Sequence, residues 1–236
     1  LVHKKSFKPD PNKLAEELVD ADYVTLTQNR NYQTDPSWQN ESERKSFIEN
    51  TGLKFFRPYQ IQAIKAVQDS ASKGNTRYLL EMATGTGKTL VSAGLIKLFL
   101  KTGNAKRVLF LVDRIELENQ AWKAFVKYLK NDYTCVIYKD HKDDWRKAEI
   151  VVTTVQSLAV DSKYKQLFSP ADFDFIISDE AHRSISGNSR AVFEYFMGYK
   201  LGLTATPKDY LKNISKSINE NDPREWERRQ LLDTYE

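Results

Sequence analysis

Residues 78–89 read YLLEMATGTGKT, and this stretch decides the fold. A short apolar run leads into two glycines, and residues 88–101 then follow with helical period. Glycines allow backbone N–H groups to turn inward around phosphate oxygens, and the N-terminus of the following helix adds its positive end. Lys88 then meets the β- and γ-phosphates of ATP, while the hydroxyl of Thr89 ligates Mg²⁺. The stretch predicts a phosphate loop whose ATP-binding residues are Thr84, Gly85, Thr86, Gly87, Lys88 and Thr89.

Met82 departs from the common G-x-x-x-x-G-K-[ST] pattern, because it occupies the position of the first glycine. This departure weakens the match to the pattern. Gly85, Gly87, Lys88 and Thr89 nevertheless retain the groups that contact phosphate. The alternative interpretation is that the glycines only form a turn.

A pair of adjacent acids follows the apolar run of residues 173–178, in the sequence Asp179-Glu180-Ala181-His182. Two carboxylates at the end of a buried strand are costly unless a metal ion or water uses them. We expect Asp179 to hold Mg²⁺ and Glu180 to orient and deprotonate the attacking water. The pair predicts the catalytic side of the ATP site.

The sequence Thr204-Ala205-Thr206-Pro207 follows the apolar run of residues 199–203. We expect the hydroxyls of Thr204 and Thr206 to couple to the acidic pair by hydrogen bonds, with His182 as the intermediary. A plain turn is the alternative, and on this segment alone it is the more frequent outcome.

Short apolar runs alternate with stretches of helical period from Leu53 onward. The runs are residues 78–82, 108–112, 134–138, 150–155, 173–178 and 199–203, and the helical stretches are 88–101, 115–129 and 188–196. Strands that are apolar throughout are buried on both faces, so the pattern predicts an α/β fold: a mostly parallel sheet with helices on both faces. Ligands in such sheets bind beyond the carboxyl ends of the strands, which is where the motifs fall.

The sequence pattern of residues 1–52 predicts a short helical arm before this domain. One helix begins after Asp10, with Leu14, Leu18 and Val19 on one face, and a second runs from Asn40 or Ser42 toward Gly52. The predicted organisation is an arm (1–52), an ATP-binding lobe (53–207) and a polar segment (208–236).

Composition excludes several classes of protein. The chain has 236 residues, a net charge of +4 and a single cysteine, Cys135, so it forms no internal disulfide. Cys135 lies in an apolar run, which favours a buried strand residue in a reducing cytoplasm over a nucleophile. No apolar run approaches the ~20 residues needed to span a bilayer. Residues 97–147 hold twelve Lys and Arg against seven Asp and Glu, a surplus that suits either a phosphate-binding patch or a solvated surface.

Four ordered segments resemble the first RecA-like motor lobe of superfamily 2 helicases and translocases, a P-loop NTPase fold. They are residues 80–89, residues 111–114 with Leu117 and Gln120, residues 178–184 (the DEAH box), and residues 202–207. The sequences of these motifs are most similar to those of the motor (R) subunit of type I restriction enzymes, in which a methionine at the position of Met82 is common. The resemblance implies a cytoplasmic, ATP- and Mg²⁺-dependent translocase of double-stranded DNA.

The resemblance also implies further site residues and partners. Arg57-Pro58-Tyr59-Gln60 resembles the adenine-recognising element, with Gln60 pairing with the base. The nucleic-acid contacts fall on Arg114, Thr153, Thr154, Gln156 and Ser157. The implied partners are a second RecA-like lobe that supplies an arginine finger, and the DNA-recognition and methylation subunits of a restriction complex. The chain would then be half of a motor and nearly inactive alone.

Several alternatives remain open at the level of sequence. The chain suits another superfamily 2 DNA or RNA helicase, a non-catalytic module gated by nucleotide, or a passive nucleic-acid-binding domain. Arg114 equally suits a surface salt bridge with Glu118, one helical turn further on.

Overall fold

Six parallel strands form one sheet in the order β1-β6-β5-β2-β4-β3. The structure is a computed structural model that describes residues 9–25, 32–129, 132–140, 145–179 and 187–205. The strands are β1 (Arg77–Glu81), β2 (Val108–Val112), β3 (Cys135–Ile137), β4 (Ile150–Thr154), β5 (Phe175–Asp179) and β6 (Tyr199–Thr204). Each predicted run overlaps a strand, and all the pairings are parallel, so the parallel sheet is confirmed.

The helices connect these strands. They are α1 (Pro11–Glu16), α2 (Pro36–Gln39), α3 (Glu41–Thr51), α4 (Pro58–Ser72), α5 (Lys88–Lys101), α6 (Ile115–Leu129), α7 (Val155–Ala159), α8 (Lys163–Leu167) and α9 (Gly187–Tyr195). Short 3₁₀ turns occupy Tyr32–Thr34, Tyr138–Asp140, Trp145–Lys147 and Val160–Ser162. Helices α5 and α6 have the predicted bounds. No helix in the described ranges has both the length and the apolar character to cross a bilayer.

Both faces of the sheet are buried, and strand β2 shows this directly. Val108, Phe110 and Val112 belong to a core that α1, α4, α5 and α6 complete. Leu109 and Leu111 point the other way, into a core that α7, α8 and α9 complete. Successive side chains of a strand face opposite sides of the sheet, so a strand covered on both sides must be apolar throughout. The prediction of helices on both faces is confirmed.

The first part of the predicted arm packs into the lobe itself. Leu14 and Val19 are buried in the core beside α4 and α5. The side chain of Gln68 donates to the carbonyls of Leu14 and Glu17 at 2.8 and 2.9 Å. Lys97, which is 2% exposed, donates to the carbonyl of Val24 at 3.0 Å. Residues 9–25 are therefore held to the lobe by buried contacts as well as by the chain.

The arm also contains one wrong prediction. Helix α1 is capped by Asp10 as expected, but it ends at Glu16 because Glu17 adopts an extended conformation. Leu18 therefore leaves the helical face and is 70% exposed. Helix α3 agrees with its prediction, with Asn40 as the N-terminal cap and Gly52 in the left-handed conformation at its end.

Candidate nucleotide site and nucleic-acid face

The loop between β1 and α5 has the shape that its glycines permit. Gly85 and Gly87 have φ values of 79° and 88°, in the left-handed region where a side chain is strained. Gly87 is the residue directly before α5, so Lys88 and Thr89 form the first turn of that helix. The hydroxyl of Thr86 donates to the carbonyl of Ala83 at 2.6 Å and closes the loop on itself.

Helix α4 holds this loop from one side. The hydroxyl of Tyr59 and the amide nitrogen of Gln60 both donate to the carbonyl of Thr86, at 2.8 and 2.7 Å. The amide oxygen of Gln60 accepts the backbone N–H of Arg57 at 2.9 Å, so both ends of this buried amide contact the protein. Pairing with adenine stays a prediction, and in this arrangement it requires Gln60 to exchange partners. Tyr59 was not predicted, although it directly precedes Gln60.

Asp179 lies at the same edge of the sheet as the phosphate loop. Strand β6 runs between β5 and β1, with Leu203 beside Asp179 and Thr204 beside Glu81. Neighbouring strands are about 4.8 Å apart, so the ends of β1 and β5 are separated by roughly 10 Å. This span suits a triphosphate chain. Thr204 is buried between the two strands.

Three predicted residues lie outside the described ranges: Glu180, His182 and Thr206. Their roles stay predictions.

The donor set at this edge suits magnesium. Mg²⁺ is bound through one or two carboxylates, with phosphates and water completing its octahedron. Thr89 would supply a hydroxyl and Asp179 a carboxylate. Among the described residues, no group of three or more His, Cys, Asp and Glu side chains forms an all-protein metal site.

The predicted nucleic-acid residues lie at or just after the carboxyl ends of strands β2 and β4, further along the same edge. Arg114 is 65% exposed, and its Nε lies 3.8 Å from a carboxylate oxygen of Asp113. The exposed side chain of Gln156 donates to the other oxygen of Asp113 at 2.9 Å. Arg114 and Gln156 therefore reach the surface at neighbouring positions, joined through Asp113.

The two predicted threonines have structural surroundings. The hydroxyl of Thr154 accepts the backbone N–H of Ser157 at 3.1 Å and caps α7, and its distance to the hydroxyl of Ser157 is 2.6 Å. Thr153 is 1% exposed, and its hydroxyl has no hydrogen-bond partner within the described part of the chain. Neither hydroxyl is presented to solvent in the way that Arg114 and Gln156 are.

Glu118 does not pair with Arg114, which was the alternative for that arginine. Its side chain is 1% exposed and points into the protein. One carboxylate oxygen accepts the backbone N–H of Thr154 at 2.8 Å, and the other lies 3.0 Å from the ammonium of Lys139. Sequence reasoning assigned no role to Lys139, because this contact joins two elements that are distant in the chain.

Cys135 lies in strand β3 at the edge of the sheet, with its side chain partly covered. Burial raises the pKa of its thiol to about 12. A thiol of this kind stays protonated near neutral pH, in agreement with its expected lack of nucleophilic character.

Known proteins resemble the chain in sequence and in fold. Residues 54–209 match the family described as "Type III restriction enzyme, res subunit". The type I restriction enzyme EcoAI endonuclease subunit of Escherichia coli is 36% identical over 157 residues, which are 65% of this chain and 19% of that protein. The EcoKI endonuclease subunit of strain K12 is 33% identical, over 71% of this chain and 17% of the relative. The chain thus spans about a fifth of these relatives.

Two further similarities lie outside restriction enzymes. The putative ATP-dependent helicase IRC3 of Saccharomyces cerevisiae is 30% identical over 59% of this chain and 21% of the yeast protein. The Sulfolobus solfataricus SWI2/SNF2 ATPase core, solved in complex with dsDNA, superposes with a TM-score of 0.55. That match covers 64% of this chain and 32% of the other at 20% identity, and it confirms the RecA-like fold. The family match spans well over half of the sequence, from the residues before α4 to those after β6, so the chain belongs to the family described as type III restriction enzyme, res subunit.

Proposed function

We propose that this chain contains the ATP-binding lobe of a translocase that moves double-stranded DNA, of the restriction-enzyme type. The observation that carries the proposal is the placement of the phosphate loop and Asp179 on either side of β6, at one edge of the sheet. Family membership and the restriction-enzyme relatives support the same activity. The whole protein's reaction is inferred from a lobe that spans about a fifth of those relatives.

The reaction is attack of water on the γ-phosphate of ATP. Lys88 and the first turn of α5 bind the phosphates and stabilise the charge that develops on them. Thr89 and Asp179 would hold Mg²⁺, and a bound ion would neutralise charge on the phosphate oxygens. Glu180 positions the attacking water, and His182 links the acidic pair to Thr204 and Thr206.

Two variants of the complete protein test these roles. Lys88→Ala removes the ammonium that meets the β- and γ-phosphates, so we expect no Mg-ATP binding in calorimetry. Lys73→Ala is the matched control, because Lys73 ends α4 at the far side from the loop. Glu180→Gln keeps the shape of the side chain but removes its basicity, so we expect ATP binding to be kept and turnover to be lost.

Three outcomes of these experiments would contradict the proposed roles. Equal loss of binding and turnover in the Glu180→Gln protein contradicts the water-positioning role. Undiminished function of this variant favours a module in which ATP only sets an interface. DNA affinity that is unaffected by Lys88→Ala, together with no ATP binding by the parent protein, favours a passive nucleic-acid-binding domain.

A helicase is the second candidate, and the observation that favours it is the similarity to the yeast protein. The two activities differ in the nucleic acid that stimulates turnover and in its fate. A translocase of this type is stimulated by duplex DNA and leaves the strands paired. Stimulation by RNA, or release of a labelled strand from a duplex, supports the helicase instead.

The proposed partners follow from the same assignment. They are double-stranded DNA, a second RecA-like lobe, and the DNA-recognition and methylation subunits of a restriction complex in the cytoplasm. Arg114 and Gln156 contact phosphate oxygens of the DNA, and contacts of this kind are indifferent to base sequence.

A further inference from the structure

The carboxylate of Glu118 joins three elements at the carboxyl edge of the sheet. It lies in the first turn of α6, which follows β2. It accepts the backbone N–H of Thr154 at the end of β4, and it lies 3.0 Å from Lys139 in the 3₁₀ turn after β3. Strands β2, β4 and β3 are consecutive neighbours in the sheet. One buried side chain therefore fixes the position of Lys139 relative to the exposed side chains that follow β2 and β4.

We propose that Lys139 is a further contact to the phosphates of duplex DNA, and that Glu118 is the residue that positions it beside Arg114 and Gln156. The proposal rests on the proposed function, since it extends the same nucleic-acid face. It extends that face by one strand, from β4 to the edge strand β3. No resemblance or comparison assigns either residue a role.

A lysine that contacts DNA must be exposed, whereas the acid that positions it can be buried. Glu118 and Lys139 differ in this way. The side chain of Glu118 is 1% exposed, whereas that of Lys139 is 42% exposed. A lysine ammonium has three donors. The ammonium lies 3.0 Å from Glu118, and the side chain is exposed enough for a phosphate oxygen to approach the ammonium as well.

The ion pair with Glu118 also keeps Lys139 charged and limits the motion of its side chain. The Glu118 carboxylate, through hydrogen bonding and its charge, raises the pKa of Lys139, so the ammonium stays protonated. A free lysine side chain loses rotamer freedom when it binds a ligand. A lysine already held by a buried acid loses less, so it is preorganised for phosphate.

A purely structural role for the pair is the competing explanation. A buried carboxylate is costly unless it is paired and hydrogen-bonded, and Lys139 satisfies that need whether or not DNA binds. The two explanations differ in the salt dependence of DNA affinity. Each phosphate contact on duplex DNA adds about 0.9 to the slope of log affinity against log salt concentration, and a structural ion pair adds nothing.

The test measures duplex-DNA affinity of the complete protein over a range of salt concentrations. We expect Lys139→Gln to lower the slope by about 0.9, and to lower affinity near 0.1 M salt on the order of tenfold. Lys139→Arg keeps the charge and should restore both values. Lys127→Gln is the matched control. Lys127 is an exposed lysine in the last turn of α6, near the amino ends of the strands and away from the proposed DNA contacts.

The role of Glu118 is tested by combining variants. Glu118→Gln keeps an oxygen for the N–H of Thr154 but loses the charge that holds Lys139. We expect it to reduce the slope in the parent protein and to change nothing further in the Lys139→Gln background. An equal reduction in both backgrounds overturns the positioning role.

A failure of this proposal differs from a failure of the proposed function. If Arg114→Ala lowers the slope and Lys139→Gln leaves both the slope and the affinity of the parent, Lys139 is not a contact and the inference is overturned. If the parent protein does not bind duplex DNA at all, the proposed function fails with it. Thermal unfolding of each variant excludes a general loss of structure as the cause.

Discussion

At Gly87, a left-handed backbone coincides with occupied side-chain space. Its φ of 88° disfavours any other residue, and a Cβ atom at this position would overlap the amide nitrogen of Gln60. That amide donates to the carbonyl of Thr86 inside the phosphate loop. A methyl group at Gly87 would therefore displace the end of the Gln60 side chain and its hydrogen bond to the loop.

We expect Gly87→Ala to weaken Mg-ATP binding and to lower the free energy of unfolding by more than the backbone penalty. A left-handed conformation costs a non-glycine residue about 1–2 kcal/mol. Gly103→Ala is the matched control, since Gly103 has a φ of 73° with open space where a Cβ would lie. Denaturant unfolding and calorimetry measure the two effects. Equal destabilisation by both substitutions, with nucleotide affinity kept, would show that the contact with Gln60 has no consequence.

At the scale of elements, the sequence predicted helices α5 and α6 well, but it did not predict α4, which is as long as α6, or the short helices α7 and α8. Helices α5 and α6 have enough turns for a helical period to be visible, and their predicted bounds are those of the structure. Helices α7 and α8 have five residues each, too few for such a period. Helix α7 depends on a local cap instead, the hydroxyl of Thr154.

Some residues of the candidate site could be placed from the sequence, and others could not. The phosphate loop directly follows β1 and Asp179 is the last residue of β5, so their positions relative to the strands set their place at the sheet edge. The contacts of Tyr59 with Thr86 and of Glu118 with Lys139 join separate elements. Such contacts depend on how helices pack against the sheet, and local sequence carries no signal for them.

Helix α1 provides a test of how firmly the arm belongs to the lobe. Leu14 is 1% exposed and packs in the core, whereas Leu18, four residues later, is 70% exposed. We expect Leu14→Ala to lower the free energy of unfolding by about 2–5 kcal/mol, because it leaves a cavity. Leu18→Ala should change it by less than about 0.5 kcal/mol. Denaturant unfolding distinguishes them, and similar small effects would mean that the arm is not part of the cooperative core.

At the scale of the whole molecule, the proposed nucleotide site and the proposed nucleic-acid face lie side by side at one sheet edge. The nucleotide residues follow β1, β6 and β5, and the nucleic-acid face follows β2, β4 and β3. Strands β5 and β2 are neighbours, with Ile177 beside Phe110 and Ser178 beside Leu111. A shift of β5 that accompanies hydrolysis would therefore be transmitted to β2 through direct backbone pairing. This arrangement would give ATP turnover a short mechanical route to the proposed DNA contacts.

The same arrangement supplies only part of what fast hydrolysis requires. The proposed site would provide phosphate-binding groups and a magnesium ligand, whereas the resemblance places the arginine finger on a second lobe. Arginine fingers contribute about 10³–10⁵ to the turnover of related enzymes. We therefore expect residues 1–236 alone to bind Mg-ATP and to release phosphate at least about a thousandfold more slowly than the complete protein with duplex DNA. Phosphate release by both proteins is the measurement, with Lys88→Ala in residues 1–236 as the background. Rapid turnover by this chain alone, stimulated by DNA, would mean that a single lobe holds every group the reaction needs.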